Sequence, residues 1–309
     1  MTVDFGLALT PGSRRGQSAT QWQEDLEASL PTLAGHIRSL WMSDHFSWGD
    51  APTHEAWTVM SYLAARWPQF EVASGVLGQN YRNPAHLAKM GATLQVLSGG
   101  RFILGIGAGW KEDEYLSYGY PFPPVKVRME QLDDTLEIVK RLWTEPGKVT
   151  YHGKHYQVVD AYCEPKPVPV PPIVIGGGGN TTMKLTAKHA DWWNHSDVDV
   201  ATYQMRMATL HQHCEAIGRD PASVRKTWFG RLSVAKTEAE AKEQALSLGY
   251  GHHVGWTLEG AFIGTAQQIA DKIGAFVDIG VDYFAFEIIG LPDPDVIGRV
   301  VEDVLPKVQ

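Results

Sequence analysis

A carboxylate and an imidazole stand side by side in Ser43-Asp44-His45-Phe46, and four consecutive glycines follow an apolar run in Pro172-Ile-Val-Ile-Gly-Gly-Gly-Gly-Asn-Thr-Thr182. The Asp44 and His45 pair suits proton transfer, because an imidazole changes charge near neutral pH and a neighbouring carboxylate can fix its tautomer. The alternative is that Asp44 only holds His45 in a loop hydrogen bond. The glycine run suits a phosphate cradle. Gly176, Gly177, Gly178 and Gly179 let the backbone turn and come close to a ligand with no Cβ in the way. Asn180, Thr181 or Thr182 can then cap a helix whose unpaired N–H groups and positive dipole end attract an anion. A tight strand-to-helix turn without a ligand is the alternative there.

Other chemistry-bearing residues carry less. Gly105-Ile-Gly-Ala-Gly109 lacks the helix-opening context and spaced acidic residue of a dinucleotide fingerprint. Asp113 and Glu114 offer further carboxylates for proton transfer or a solvated loop, and Trp48 offers a wall for a flat ligand. His252 and His253, in a glycine-containing loop, either face a substrate or lie on the surface. Cys163 and Cys214 are the only cysteines; their separation supports neither a disulfide framework nor a zinc site.

The elements that must position these residues alternate. Strands are expected at 3–9, 39–46, 71–78, 102–108, 173–175, 191–195, 226–235 and 283–288. Each is followed by a helical pattern: Trp22, Leu26, Leu30 and Leu33 share one face of the first helix, and Leu87, Met90, Leu94 and Leu97 one face of the third. The helix at 127–143 should bury Leu132, Leu136, Val139 and Trp143, and Thr237 with Glu240 reads as a capping box. Residues 147–171 break the alternation with a hairpin turning at Gly153 and a proline-rich extended lead-in. Eight strand and helix repeats favour a closed (β/α)8 TIM barrel, one domain over 1–309 with that short hairpin insertion before strand 5. Such a barrel gathers its strand ends at one mouth, including Asp44, His45 and the glycine endings of the third, fourth and fifth strands.

Composition narrows the partners. A formal net charge of −8 without a basic cluster excludes nucleic acid as an expected partner. No apolar run reaches membrane-spanning length and no signal pattern opens the chain, so a cytoplasmic protein with a small-molecule substrate is expected.

The run Gly105-Ile-Gly-Ala-Gly-Trp-Lys-Glu-Asp-Glu-Tyr115, with Tyr118-Gly-Tyr-Pro-Phe-Pro123, Arg128, Pro165-Lys-Pro167, the four glycines and Ala190-Asp-Trp-Trp-Asn194, resembles the luciferase-like flavin or deazaflavin oxidoreductases. Gly264-Thr265 and Gly280-Val-Asp-Tyr-Phe284 extend the resemblance almost to the C-terminus, and the pattern is most similar to the subgroup using coenzyme F420. The resemblance implies a luciferase-like barrel with the cofactor ring across its mouth, and a homodimer. It implies that Asp44 and His45 meet the ring edge and assist proton transfer. It places a non-prolyl cis peptide behind the ring at Gly75 and Val76, the ribityl chain along Gly107, Ala108 and Asp113, and the phosphate at Gly176 to Gly179. Trp110 stands where the sugar-phosphate dehydrogenases of the family carry a glutamate, which argues against a sugar-phosphate substrate.

Three functions share this site. The first passes a hydride between coenzyme F420 and an organic substrate; its polyglutamate tail would want basic groups such as Arg14 and Arg15. The second is a monooxygenase that uses FMNH2, supplied by a partner reductase, and oxygen. The third is a non-catalytic flavin-binding protein, against which the Asp44 and His45 pair argues. A metal-dependent barrel hydrolase lacks the metal-ligand cluster it would need.

Overall fold

The computed structural model describes residues 2–10, 12, 17–247, 258 and 260–308. Arg14, Arg15, His252 and His253 lie outside the described residues. Eight parallel barrel strands close on themselves: β1 (Asp4–Leu9), β2 (Ser39–Met42), β3 (Glu71–Ser74) extended by β4 (Leu77–Gly78), β5 (Phe102–Gly107), β8 (Ile173–Gly176), β9 (Trp192–Ser196), β10 (Arg225–Val234) and β12 (Tyr283–Ile288), with β12 pairing back to β1. The hairpin of β6 (Val149–His152) and β7 (Gln157–Ala161) forms its own two-stranded sheet before β8, where the broken alternation placed it. Buried Asp134 anchors it, accepting hydrogen bonds from Tyr151 Oη and from the backbone N–H groups of His155 and Tyr156 at 3.0, 2.6 and 3.1 Å.

Outward-facing strand residues pack against α1 (Gln21–Leu33), α2 (Ala56–Arg66), α3 (Pro84–Leu97), α5 (Val125–Thr144), α6 (Asn180–His189), α7 (Val200–Ala216), α8 (Glu238–Ser247) and α9 (Ala266–Val277), and α10 (Pro294–Gly298) closes the ring. Trp22, Leu26, Leu30 and Leu33 of α1 and the four expected residues of α5 are buried. In α3, Leu87 and Leu94 are buried as expected, whereas Leu97 is 80% exposed and the small residues Ala88, Gly91 and Ala92 also face inward. Small residues win there because Trp143 needs the space; its Nε1 donates to Ala88 O at 2.8 Å, and a Cβ on Gly91 would lie 2.7 Å from its ring. The capping box of Thr237 and Glu240 is present, and Thr265 with Gln268 forms a second one on α9. Among the described residues, no helix is long and apolar enough to cross a membrane.

Side chains fill the barrel interior, large against small: Trp41, Tyr283 and Phe229 pack with Ala8, Ala73 and Ala285. Trp41 could not be buried without a partner for its ring N–H, and Nε1 donates to Ser39 Oγ at 2.5 Å. This aromatic layer is the floor of the site. A Cβ on Gly75 would lie 3.1 Å from Phe229 and 3.3 Å from Trp41.

Four local expectations need correction. The second strand ends at Met42, not Phe46, because Asp44 and the Phe46 N–H leave the ladder for partners on neighbouring segments. The third strand is interrupted at the cis Gly75–Val76 bond. A short helix, α4 (Glu112–Ser117), stands where a loop was expected, and β11 (Phe262–Gly264) adds a strand beside the end of β10.

Candidate active site at the barrel mouth

A cavity of about 900 Å³ opens at the C-terminal ends of the barrel strands, lined by His45, Trp48, Gly75, Trp110, Asp197, Arg231 and Glu287 among others. That volume lies toward the upper end of the range of about 300–1,000 Å³ usual for ligand sites. The strand endings predicted to converge there do so for β2, β3, β9 and β12, with Trp110 reaching it from the loop after β5, while β8 ends beside the cavity and not in its wall.

Asp44 and His45 are adjacent in sequence, but their side chains part. Asp44 is 4% exposed and accepts hydrogen bonds from Gly78 N at 3.0 Å and from Arg82 Nη1 and Nη2 at 2.7 and 3.0 Å. Arg82 also reaches Glu55 at 2.8 Å, the residue that caps α2. The carboxylate beside His45 is instead Glu114, whose Oε2 lies 3.1 Å from Nδ1. Glu114 is 2% exposed and also accepts from Phe46 N, Ser47 N and Tyr81 Oη at 2.7, 3.0 and 2.8 Å. Burial alone would raise its carboxyl, yet the hydrogen bonds from His45, Ser47 and Tyr81 outweigh burial and hold it below the usual carboxylate range. An ionised carboxylate only accepts, so Nδ1 carries the proton and Nε2 is left for a ligand in the cavity. The His45 ring packs against Trp48 at 4.7 Å and Trp110 at 5.6 Å between centroids.

Sequence reasoning left Glu114 a runner-up and took no account of Tyr81 or Arg82. The signal was the order Glu112-Asp113-Glu114-Tyr115: at helical spacing one turn cannot expose all four. Asp113 faces solvent in an ion pair with Lys111, while Glu114 and Tyr115 turn inward. Asp113 is therefore not brought together with the other candidates. Arg231 and Glu287 were also missed, although Glu287 is the one charged residue of β12, and a charge in an apolar strand marks a special position.

The remaining candidates meet around Val76. Its methyl groups would lie 3.1 Å from a Cβ on Gly105 or Gly107 and 3.3 Å from one on Gly176, so the cis Gly75–Val76 turn, the end of β5 and the start of the glycine run share one surface. Ala108 follows Gly107 and is half-buried beside the core. Gly177 has φ +117°, a conformation that favours glycine, and a Cβ on Gly178 would lie 2.4 Å from His195 Nε2. The expected cap needs correction. Gly179, not Asn180, Thr181 or Thr182, is the N-cap of α6, and no side chain caps the helix. Asn180 Oδ1 is engaged with His213 Nε2 at 2.9 Å. A helix start left without a side-chain cap, behind a glycine run in which Gly177 has a positive φ and Gly178 no room for a Cβ, fits a phosphate-bearing cofactor.

The luciferase-like monooxygenase family profile matches residues 36–257. The chain belongs to the luciferase-like monooxygenase family. Within it, the chain is 27% identical to an F420-dependent glucose-6-phosphate dehydrogenase of Amycolatopsis mediterranei, over 88% of this chain and 90% of that one. It is 26% identical to an FMNH2-dependent dimethylsulfone monooxygenase of Pseudomonas putida, over 91% of this chain and 86% of that one. Among solved structures, an F420-dependent secondary alcohol dehydrogenase in complex with an F420-acetone adduct superposes with a TM-score of 0.84 at 20% identity, covering both chains completely. The luciferase-like barrel expected from the sequence is thus the fold observed.

Proposed function

We propose that this luciferase-like protein passes a hydride between coenzyme F420 and an organic substrate, with His45 managing the accompanying proton. The coarser assignment, an F420- or flavin-dependent oxidoreductase, follows from family membership and from the two kinds of relative. One observation carries the finer reading: Glu114 commits His45 Nδ1 as a donor, which leaves Nε2 as the proton acceptor on the cavity wall beside Gly75.

When bound, the deazaflavin supplies the hydride chemistry. Gly75, Val76, Gly107 and Ala108 would back and line it, and Gly176 to Gly179 with the Asn180 N–H would hold its phosphate. In substrate oxidation the hydroxyl proton goes to His45 Nε2 as the C–H bond gives up its hydride, and Glu114 stabilises the imidazolium formed. In reduction the same nitrogen returns the proton. Trp48 and Trp110 cover the imidazole and exclude water. Asp44, proposed from the sequence as a catalytic partner, acts in this reading by fixing the loop through Arg82. Asp113 is assigned no contact with the cofactor.

The second reading, an FMNH2-dependent monooxygenase fed by a partner reductase, is favoured by the relative from Pseudomonas putida and uses the same glycine cradle. A flavin-binding protein without catalysis would have no use for a buried carboxylate fixing a histidine tautomer. The homodimer and the cytoplasmic setting belong to the proposal as well. The test is H45A under anaerobic conditions: the F420 reading expects hydride transfer to fall by at least about 100-fold while cofactor affinity stays within threefold. Unchanged turnover in H45A would remove His45 from the mechanism.

A further inference from the structure

One imidazole at the glycine run has no part in the proton transfer assigned to His45. His195 is half-buried near the C-terminal end of β9, its ring 5.8 Å from that of Trp193 and 6.4 Å from that of Tyr203 on α7. Its Nε2 reaches the glycine run: a Cβ on Gly178 would stand 2.4 Å from that nitrogen, so only a glycine there admits the ring edge to the loop backbone. The neighbouring residue fixes the tautomer. Ser196 N–H donates to Nδ1 at 3.1 Å, and a ring nitrogen that accepts carries no proton. Burial and the Arg206 charge lower the imidazole to about 4, so it is neutral at pH 7 and its one proton sits on Nε2, beside Gly178.

Gly177 is held on both sides, its N–H by Asn194 O and its carbonyl by Trp193 Nε1, each at 2.9 Å. The groups after it are not. Among the described residues, His195 Nε2, the N–H groups of Gly178 and Gly179 and the Thr182 hydroxyl have no protein partner. Thr182 Oγ1 stands over the run from the first turn of α6, 3.5 Å from where a Cβ on Gly179 would lie. Donors gathered in this way without an acceptor complement an anion. We infer that His195 binds the phosphate of the bound cofactor, donating its Nε2–H to an oxygen of the monoester or diester that the glycine run holds. This rests on the cofactor reading above and adds to it a side-chain donor from β9. An anion brought against Nε2 favours the imidazolium form. Arg206 is the charged group acting on the ring; Trp193 and Gly178 carry no charge, and burial keeps the Tyr203 phenol neutral.

The test titrates the full chain without cofactor with F420 and with its phosphate-free deazariboflavin, and in parallel with FMN and riboflavin, followed by fluorescence. H195A should weaken the phosphate-bearing member of the tighter pair at least about tenfold and its phosphate-free member less than about threefold. In the unsubstituted chain labelled with 15N at histidine, the His195 pKa should rise from about 4 to above about 5 when the phosphate-bearing ligand binds. Should H195A not fold, that shift decides by itself. Equal losses for both members of the pair, no loss for either, or a His195 pKa that the ligand leaves unmoved would overturn the inference and leave the cofactor reading standing. Binding of neither pair to the unsubstituted chain would overturn both.

Discussion

Glu114 Oε2 receives two donors, His45 Nδ1 at 3.1 Å and Tyr81 Oη at 2.8 Å, while Oε1 receives the N–H groups of Phe46 and Ser47. The two residues on Oε2 compete for one oxygen. E114Q removes the charge that stabilises the imidazolium and should lower kcat/KM by about 10- to 100-fold. The loss should fall on kcat/KM while cofactor affinity stays within about threefold, as expected for a group that acts through His45. Unchanged turnover in E114Q would reduce Glu114 to a structural role.

Glu114 also links folding to acid. Its folded carboxyl sits below its ordinary value, so its contribution to stability is full above the unfolded pKa, about 4.3, and is lost as pH falls through the folded one. Denaturant unfolding of the original chain and of E114Q should therefore converge as pH drops below about 4.

Asp44 should behave as a structural residue. Removing one partner of a buried ion pair costs about 3–5 kcal/mol, and D44A leaves Arg82 with only Glu55. D44A is expected to lose about 3 kcal/mol in denaturant unfolding, whereas H45A loses about 1 kcal/mol, since Glu114 keeps its hydrogen bonds from Phe46, Ser47 and Tyr81 when the imidazole is removed. Equal stability of D44A with the original chain would return Asp44 to the list of proton-transfer candidates.

His195 lies under the glycine cradle, and burial together with the Arg206 charge lowers its imidazole to about 4. A group depressed in the folded state stabilises above its unfolded value, about 6.5, and loses that contribution as pH falls toward about 4. H195Q should remove this part of the acid sensitivity between those values. An unchanged slope of stability with pH in H195Q would contradict the burial.

Much of this was legible in the chain. Apolar strands alternating with periodic helices carried the barrel, and Thr237 with Glu240 and the hairpin at 147–171 were readable because local chemistry alone decides them. Asp44 and His45 were readable as residues but not as a pair, since Gly78 and Arg82 draw Asp44 away and α4 brings Glu114 across. The α6 cap failed for a similar reason: His213, distant in sequence, competes for Asn180. Periodicity placed Leu87 and Leu94 of α3 but not Leu97, since Trp143 of another helix packs on Ala88 and Gly91. Contacts made across the fold leave no periodic trace.

The most direct measurement is a pair of equilibrium titrations of the cofactor-free protein, one with F420 and one with FMN, each repeated on G177A. Low-micromolar or tighter F420 binding, weak FMN binding, and at least a tenfold loss of F420 affinity in G177A are expected. Gly177 has φ +117°, and a side chain in left-handed backbone costs about 1–2 kcal/mol. Preference for FMN would contradict the F420 reading and favour the monooxygenase, and binding of neither would contradict the cofactor site itself.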